Sequence, residues 1–263
     1  MKKIIIILAW VLLIASVIFA VFYTGILNRN KLCKSIEITI DYNNADPFFS
    51  REDIQDYIYK NDTLVGKKLS EINIGMIENL ILSNPYVYNA EVFKTMDGVL
   101  KINVIQRKAI VRVYNSKNQQ YYLDDKGVKM PLNYNYPARV LIANGNIDSS
   151  YVAFNPSNRQ LRNDTINLQK DSLMYNLFKL ASYINNDEFL KAMVEQIYIN
   201  NEHEFEIVPK IGNQIVLFGD ASNLKEKTEK LFAFYKDVIS QVRWDKYRLI
   251  NLKFKNQVVC TKN

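Results

Sequence analysis

The chain has 263 residues, 48% of them hydrophobic and 12% aromatic, and a formal net charge of +7. That length and apolar content supply one large or two small cores and exclude a disordered polypeptide. Two cysteines exclude a disulfide framework, the absence of a C-x-x-C pair or Cys/His cluster argues against structural zinc, and cations scattered without a run of five argue against a nucleic-acid face.

Residues 4–23, IIIILAWVLLIASVIFAVFY, carry no charge, and fourteen of the twenty are Ile, Leu, Val or Phe. A helix of that length is about 30 Å long, the thickness of a bilayer's hydrocarbon core. Each such residue favours insertion by about 0.3–0.6 kcal/mol near the bilayer centre, and no Asp, Lys or Arg opposes them. A cleaved signal peptide ends on a small-x-small pair, whereas here Ile18 precedes Ala20 and Phe22 precedes Thr24. The expected start of the chain is therefore a short cytoplasmic tail at 1–3, a transmembrane helix at 4–23 and a juxtamembrane linker at 24–34. Lys2 and Lys3 nearly balance Arg29, Lys31 and Lys34, so local charge does not fix the orientation.

From Ser35 the pattern changes to period two. Ile36, Ile38, Ile40 and Tyr42 alternate with Glu37, Thr39 and Asp41, which predicts a half-buried strand. Ser50-Arg51-Glu52-Asp53 predicts a helix start, with Ser50 capping and Asp53 placing negative charge against the helix dipole. A second helix is expected from about Asn73 to Ser83, stopped by Pro85. Strands Tyr88 to Lys94 and Val99 to Ile105 follow, joined across Asp97-Gly98, a hairpin signal. Strand, helix, helix, strand, strand is the order of a POTRA module, assigned to 35–105.

The remainder, 106–263, leans to strands: Ala109 to Tyr114, Gln120 to Leu123, Val128 to Met130, Arg139 to Ala143, Gln196 to Ile199, Phe205 to Val208 and Gln214 to Phe218. Two helices interrupt them, about Asp171 to Ile184 and about Asn223 to Val242, their apolar ridges suited to covering a sheet. The chain closes with Arg248 to Lys255, an Asn256-Gln257 turn and Val258 to Thr261. The fold class is α+β: an N-terminal transmembrane helix, a POTRA domain ordered βααββ, then a mixed β-rich domain with two covering helices.

Little here points to catalysis. The single histidine, His203, sits in the polar turn Asn200-Asn201-Glu202-His203. No G-x-S-x-G, S-x-x-K set, P-loop or G-x-G-x-x-G is present. Asp124-Asp125, candidates for cation binding or acid–base work, precede Lys126-Gly127 and read better as the entry to a hairpin, where Asp bonds its own backbone. No cofactor, metal or catalytic residue is expected. What remains is interaction: a final strand tends to lie at a sheet edge, where unpaired backbone groups template a partner's strand. Lys253, Lys255 and Lys262 would guard an ordinary edge.

Several segments resemble the FtsQ/DivIB family of bitopic bacterial cell-division proteins. Gln106-Arg107-Lys108-Ala109-Ile110-Val111 is similar to the junction at which that family enters its β domain, although the family commonly has Glu-Arg-x-Pro there. Tyr122-Leu123-Asp124-Asp125-Lys126-Gly127-Val128 resembles its aromatic-apolar-x-Asp-x-x-Gly hairpin. Leu217-Phe218-Gly219-Asp220, followed by Lys225 and Lys227, resembles its glycine-ended strand and lysine-bearing helix. Ile250-Asn251-Leu252-Lys253-Phe254 is similar to its closing Ile-Asp-Leu-Arg-Tyr strand, with Asn251 and Lys253 replacing Asp and Arg.

The resemblance implies a single-pass inner-membrane scaffold of the divisome, at the septum, with its C-terminal domains periplasmic. It implies that FtsB/FtsL-like small coiled-coil proteins bind by strand addition to the last β strand, helping to control septal peptidoglycan synthesis. Carried onto this chain, the contacts are Leu252, Phe254, Asn256, Val258, Val259 and Thr261. Two other readings compete. One is a POTRA-bearing envelope assembly factor or outer-membrane barrel; the anchor, the interrupting helices and the lack of a long series of alternating strands argue against a barrel. An anchored cell-wall enzyme requires a pocket of convergent carboxylates or an activated nucleophile.

Overall fold

The computed structural model describes residues 10–19, 31–151, 172–242 and 246–263. Residues 10–19 are helical with every side chain exposed. The rest of the expected span, 4–9 and 20–23, lies outside the described residues, as do the tail at 1–3 and most of the linker. Among the described residues no helix is long and apolar enough to cross a membrane. The remaining structure forms two compact units: one comprises residues up to Asp41 together with Phe49–Gln106, the other Tyr42–Phe48 together with Arg107–Asn263.

The first unit holds β1 (Ser35–Asp41), α1 (Arg51–Asn61), α2 (Ile74–Leu82), β2 (Val87–Lys94) and β3 (Val99–Gln106). The sheet order is β1-β3-β2, with β1 parallel and β2 antiparallel to the central β3. Ser50 begins α1 through a complete capping box: its hydroxyl accepts from Asp53 N–H at 3.2 Å while the Asp53 carboxylate accepts from Ser50 N–H at 2.7 Å. Asn73 caps α2, accepting from Met76 N–H at 3.1 Å. Ile54 and Ile58 of α1, Ile77 and Ile81 of α2, and Ile38, Val92, Leu100 and Ile102 of the sheet are buried. Gly98 turns the β2–β3 hairpin at φ +97°, as Asp-Gly turns require. These elements form the strand–helix–helix–strand–strand module read from the sequence.

The second unit contains β4 (Ala109–Tyr114), β5 (Gln120–Asp124), β6 (Lys129–Met130), β7 (Leu141–Gly145), α3 (Leu173–Asn186), α4 (Glu188–Met193), β8 (Val194–Ile199), β9 (Phe205–Pro209), β10 (Ile215–Gly219), α5 (Leu224–Ala233), β11 (Tyr247–Asn251) and β12 (Val259–Lys262). Among the described residues nine strands form one sheet, ordered β12-β11-β10-β9-β8-β7-β4-β5-β6. It is mixed: β4–β7, β7–β8 and β10–β11 are parallel, the other pairs antiparallel. One apolar cluster joins sheet and helices, with Val111, Val113, Ile197, Ile207, Val216, Phe218 and Ile250 meeting Leu177, Leu180, Ala181, Leu224 and Leu231.

Several expectations are corrected here. The β-rich unit has a third helix, α4. Asp187 ends α3 and at once caps α4 by accepting from Leu190 N–H at 2.8 Å, so one residue restarts the helix within a single turn. The helix expected to continue to Val242 is α only to Ala233. It widens into a π segment, Phe234–Val238, then tightens into a 3-10 turn, Ile239–Gln241. Phe234 and Tyr235 are consecutive and both buried, which the wider turn accommodates. The strand expected over Arg139 to Ala143 lies two residues later, and the first residue expected of α3, Asp171, lies outside the described residues. Finally, β11 ends at Asn251 rather than Lys255, and β12 begins at Val259.

Candidate interaction site at the sheet edge

The nine-stranded sheet ends at β12. It pairs with β11 in the register Leu249↔Thr261, Ile250↔Cys260 and Asn251↔Val259, and no described strand pairs with its other side. Alternation along the strand turns Val259, 44% exposed, and Thr261 to the surface while Cys260 packs against the core. β12 is thus a short, exposed edge bearing unpaired main-chain groups.

The chain between β11 and β12 is a turn with a definite frame. Leu252 N–H still donates to Leu217 C=O of β10 at 3.0 Å, and the Leu252 side chain is fully buried. The Lys253 ammonium holds both carboxylate oxygens of Glu204, at 2.8 and 2.9 Å. Its stem passes over Gly219, where an added Cβ would lie 3.0 Å from Lys253 Cγ; Gly219 also stands at φ +76°. Both facts call for glycine at the end of β10. Phe254 is left 46% exposed, and Asn256 makes the bend in the left-handed region at φ +57°.

Of the six residues the resemblance nominated, Phe254, Asn256, Val259 and Thr261 are exposed along the turn and strand. Val258 is half-buried against the core, and Leu252 belongs to the core outright, so its side chain is not offered at the surface. Sequence reasoning passed over Lys230 of α5. Its Nζ donates to Leu252 C=O at 3.1 Å and Phe254 C=O at 2.7 Å, beside Glu226 at 3.5 Å. Its place one turn beyond Lys227 was the available signal.

Lys227 anchors the other end of the same frame. Its ammonium donates to the Asp220 carboxylate at 2.7 Å and Asp220 C=O at 2.9 Å, and lies 5.1 Å from the Phe218 ring centre. Hydrogen bonds from Lys227 and then Ser222 hold the Asp220 carboxyl down at about 2.

The residues weighed for chemistry are placed otherwise. Asp124 has no exposed side-chain surface; it accepts from Arg107 Nη1 at 2.8 Å, Lys126 N–H at 2.9 Å and Val128 N–H at 2.7 Å. Burial pushes its carboxyl above the ordinary value, while Arg107 pulls it back. Asp124 is therefore the staple of the β5–β6 hairpin. His203, at φ +61°, is exposed, its Nε2 3.5 Å from Asn146 Nδ2. A cavity of about 470 Å³ in the second unit is lined by four cations, Lys108, Arg139, Lys191 and Lys210, two carboxylates, Asp46 and Glu195, and apolar side chains, with no hydroxyl, thiol or imidazole in its wall. Among the described residues no three His, Cys, Asp or Glu side chains gather as a metal site.

Residues 108–261 match a family model described as FtsQ/DivIB, C-terminal related, and residues 31–105 match one described as a POTRA-like domain. The chain is also similar to the cell division protein DivIB of Clostridium tetani (strain Massachusetts / E88), at 25% identity over 190 residues. That match covers 72% of this chain and 66% of the relative, just under two thirds of its length.

Proposed function

Because this chain belongs to the FtsQ/DivIB family, we propose that it is a non-catalytic scaffold of bacterial cell division whose β-rich unit captures a partner by strand addition at β12. The partner is of the FtsB/FtsL type, small coiled-coil proteins of the divisome, and capture at the septum contributes to control of peptidoglycan synthesis. The observation that carries the reading is the outer edge of β12, unpaired by any described strand and flanked by exposed Phe254 and Val259. Main-chain hydrogen bonds along such an edge give affinity, and the alternating side chains give selectivity.

The scaffold is anchored in the inner membrane through residues 4–23, with the two units on the periplasmic side. An apolar helix at 10–19 whose Trp10, Leu12, Ile18 and Phe19 are all more than half exposed has the surface a bilayer would cover.

The test uses the full chain with an FtsB/FtsL-type pair from the same cell. Phe254→Ala and Val259→Glu leave circular dichroism and melting unchanged while weakening co-purification of the pair and septal localisation of the partner. Capture at the wild-type level by both variants would refute strand addition at this edge.

A further inference from the structure

The segment before β12 is held from α5 as well as from the sheet, where Asn251 Oδ1 of β11 accepts from Lys253 N–H at 3.0 Å. At Leu252 the chain keeps one hydrogen bond to β10, then leaves the plane, and the carbonyls on either side of Lys253 both turn to the Lys230 ammonium, at 3.1 and 2.7 Å. Lys230 is 15% exposed as a side chain, and Glu226 on the preceding helical turn, 3.5 Å away, supplies its counter-charge. Lys253, between those carbonyls, is drawn toward Glu204. A backbone tied at two alternate carbonyls, with the intervening side chain tied elsewhere, fixes the direction in which Phe254 emerges. Among the described residues the acceptors of that ammonium are these two carbonyls, with the Glu226 carboxylate at 3.5 Å.

We propose that Lys230 is a positioning residue for partner capture: it holds the Leu252–Phe254 segment so that Phe254 and the start of β12 stand ready for an incoming strand. The inference rests on the strand-addition reading above and adds to it a determinant on a helix that the added strand need not touch. An ordered turn spares the complex the entropy of fixing it on binding, so the gain falls mainly on the dissociation rate.

The experiment measures binding of a purified FtsB/FtsL-type pair to the full chain carrying Lys230→Met, Lys230→Arg or Phe254→Ala, together with amide exchange in the free proteins. Lys230→Met is expected to weaken binding about tenfold through faster dissociation, with unchanged melting and faster exchange confined to residues 252–258. Lys230→Arg, which keeps several donors, recovers most of the affinity. Phe254→Ala weakens binding without that local exchange. If Lys230→Met lowers the melting temperature, Lys230→Gln takes its place. Unchanged binding by Lys230→Met beside weakened binding by Phe254→Ala overturns the positioning role alone. Weakening without faster exchange at 252–258 overturns it as well, and unchanged binding by all variants removes the strand-addition reading itself.

Discussion

Replacing Arg107 with Met leaves the Asp124 carboxylate buried without its cation. The two side chains are 11% and 0% exposed, so solvent screens their interaction little. Removing one partner of a buried pair costs about 3–5 kcal/mol, whereas exposed pairs are worth a fraction of that. For a unit of this size about 2–4 °C of melting temperature goes with each kcal/mol, so Arg107→Met is expected to melt roughly 10 °C lower. The loss depends on pH, and its sign follows from burial. Asp124 already titrates above its ordinary value in the folded protein because desolvation outweighs the pull of Arg107. Its ionisation therefore opposes folding as the pH rises through that raised value, and losing Arg107 raises it further. The deficit of the variant is full above its own Asp124 pKa and shrinks as the pH falls through it. Thermal denaturation followed by circular dichroism at about pH 8 and about pH 5 reads both effects. The double variant Arg107→Met/Asp124→Asn keeps an acceptor for Lys126 and Val128 and loses the pH dependence. A deficit under about 1 kcal/mol at the higher pH, the range of a surface pair, would refute the argument that this is a buried charge.

Asp220→Asn is expected to lower stability above pH 4, with the difference fading toward pH 2, because the folded carboxyl is held at about 2, below its unfolded value, and its contribution is lost as it protonates; urea titrations across that window check it. Gly219→Ala should cost about 1–2 kcal/mol from the left-handed backbone and the crowded Lys253 stem, and amide exchange should report loosening at 252–254; a neutral change would show that the stem moves freely. Cys33, 1% exposed and with its thiol raised by burial, should resist alkylation near neutral pH in the folded protein and react once the first unit unfolds, a contrast read by mass spectrometry.

Local signals carried the first unit well. Ser50 with Asp53, Asn73, Pro85 and Asp97-Gly98 are all devices that act within four residues of themselves, and each bounds an element where it stands. The second unit was legible as strands but not as a sheet. β4 pairs with β7 across β5 and β6, and β10 pairs with β11 across a helix, and neither adjacency leaves a trace in the periodicity of the strands involved. The same limit blurred the candidate site. Leu252-Lys253-Phe254 alternates like a continuing strand, but Asn251 Oδ1 accepts from Lys253 N–H at 3.0 Å and the ammonium of Lys230, 22 residues earlier, takes the carbonyls of Leu252 and Phe254. The resemblance nominated Leu252 as a contact on a last strand, but β11 ends at Asn251 and the Leu252 side chain is buried.

An open sheet differs from a closed barrel in one respect that bears on assembly. Among the described strands β12 is paired on one side, so a tenth strand laid beside it would satisfy that edge and present another of its own. The vacancy is handed outward, not removed. Under the strand-addition proposal, a strand bound here would take on the task of ending the array, by being short, by carrying charge or proline on its far side, or by passing the edge to a further chain. The geometry of this one terminus would thus set a requirement on the composition of any strand added there: a long, apolar, uncovered strand would open the way to unlimited growth.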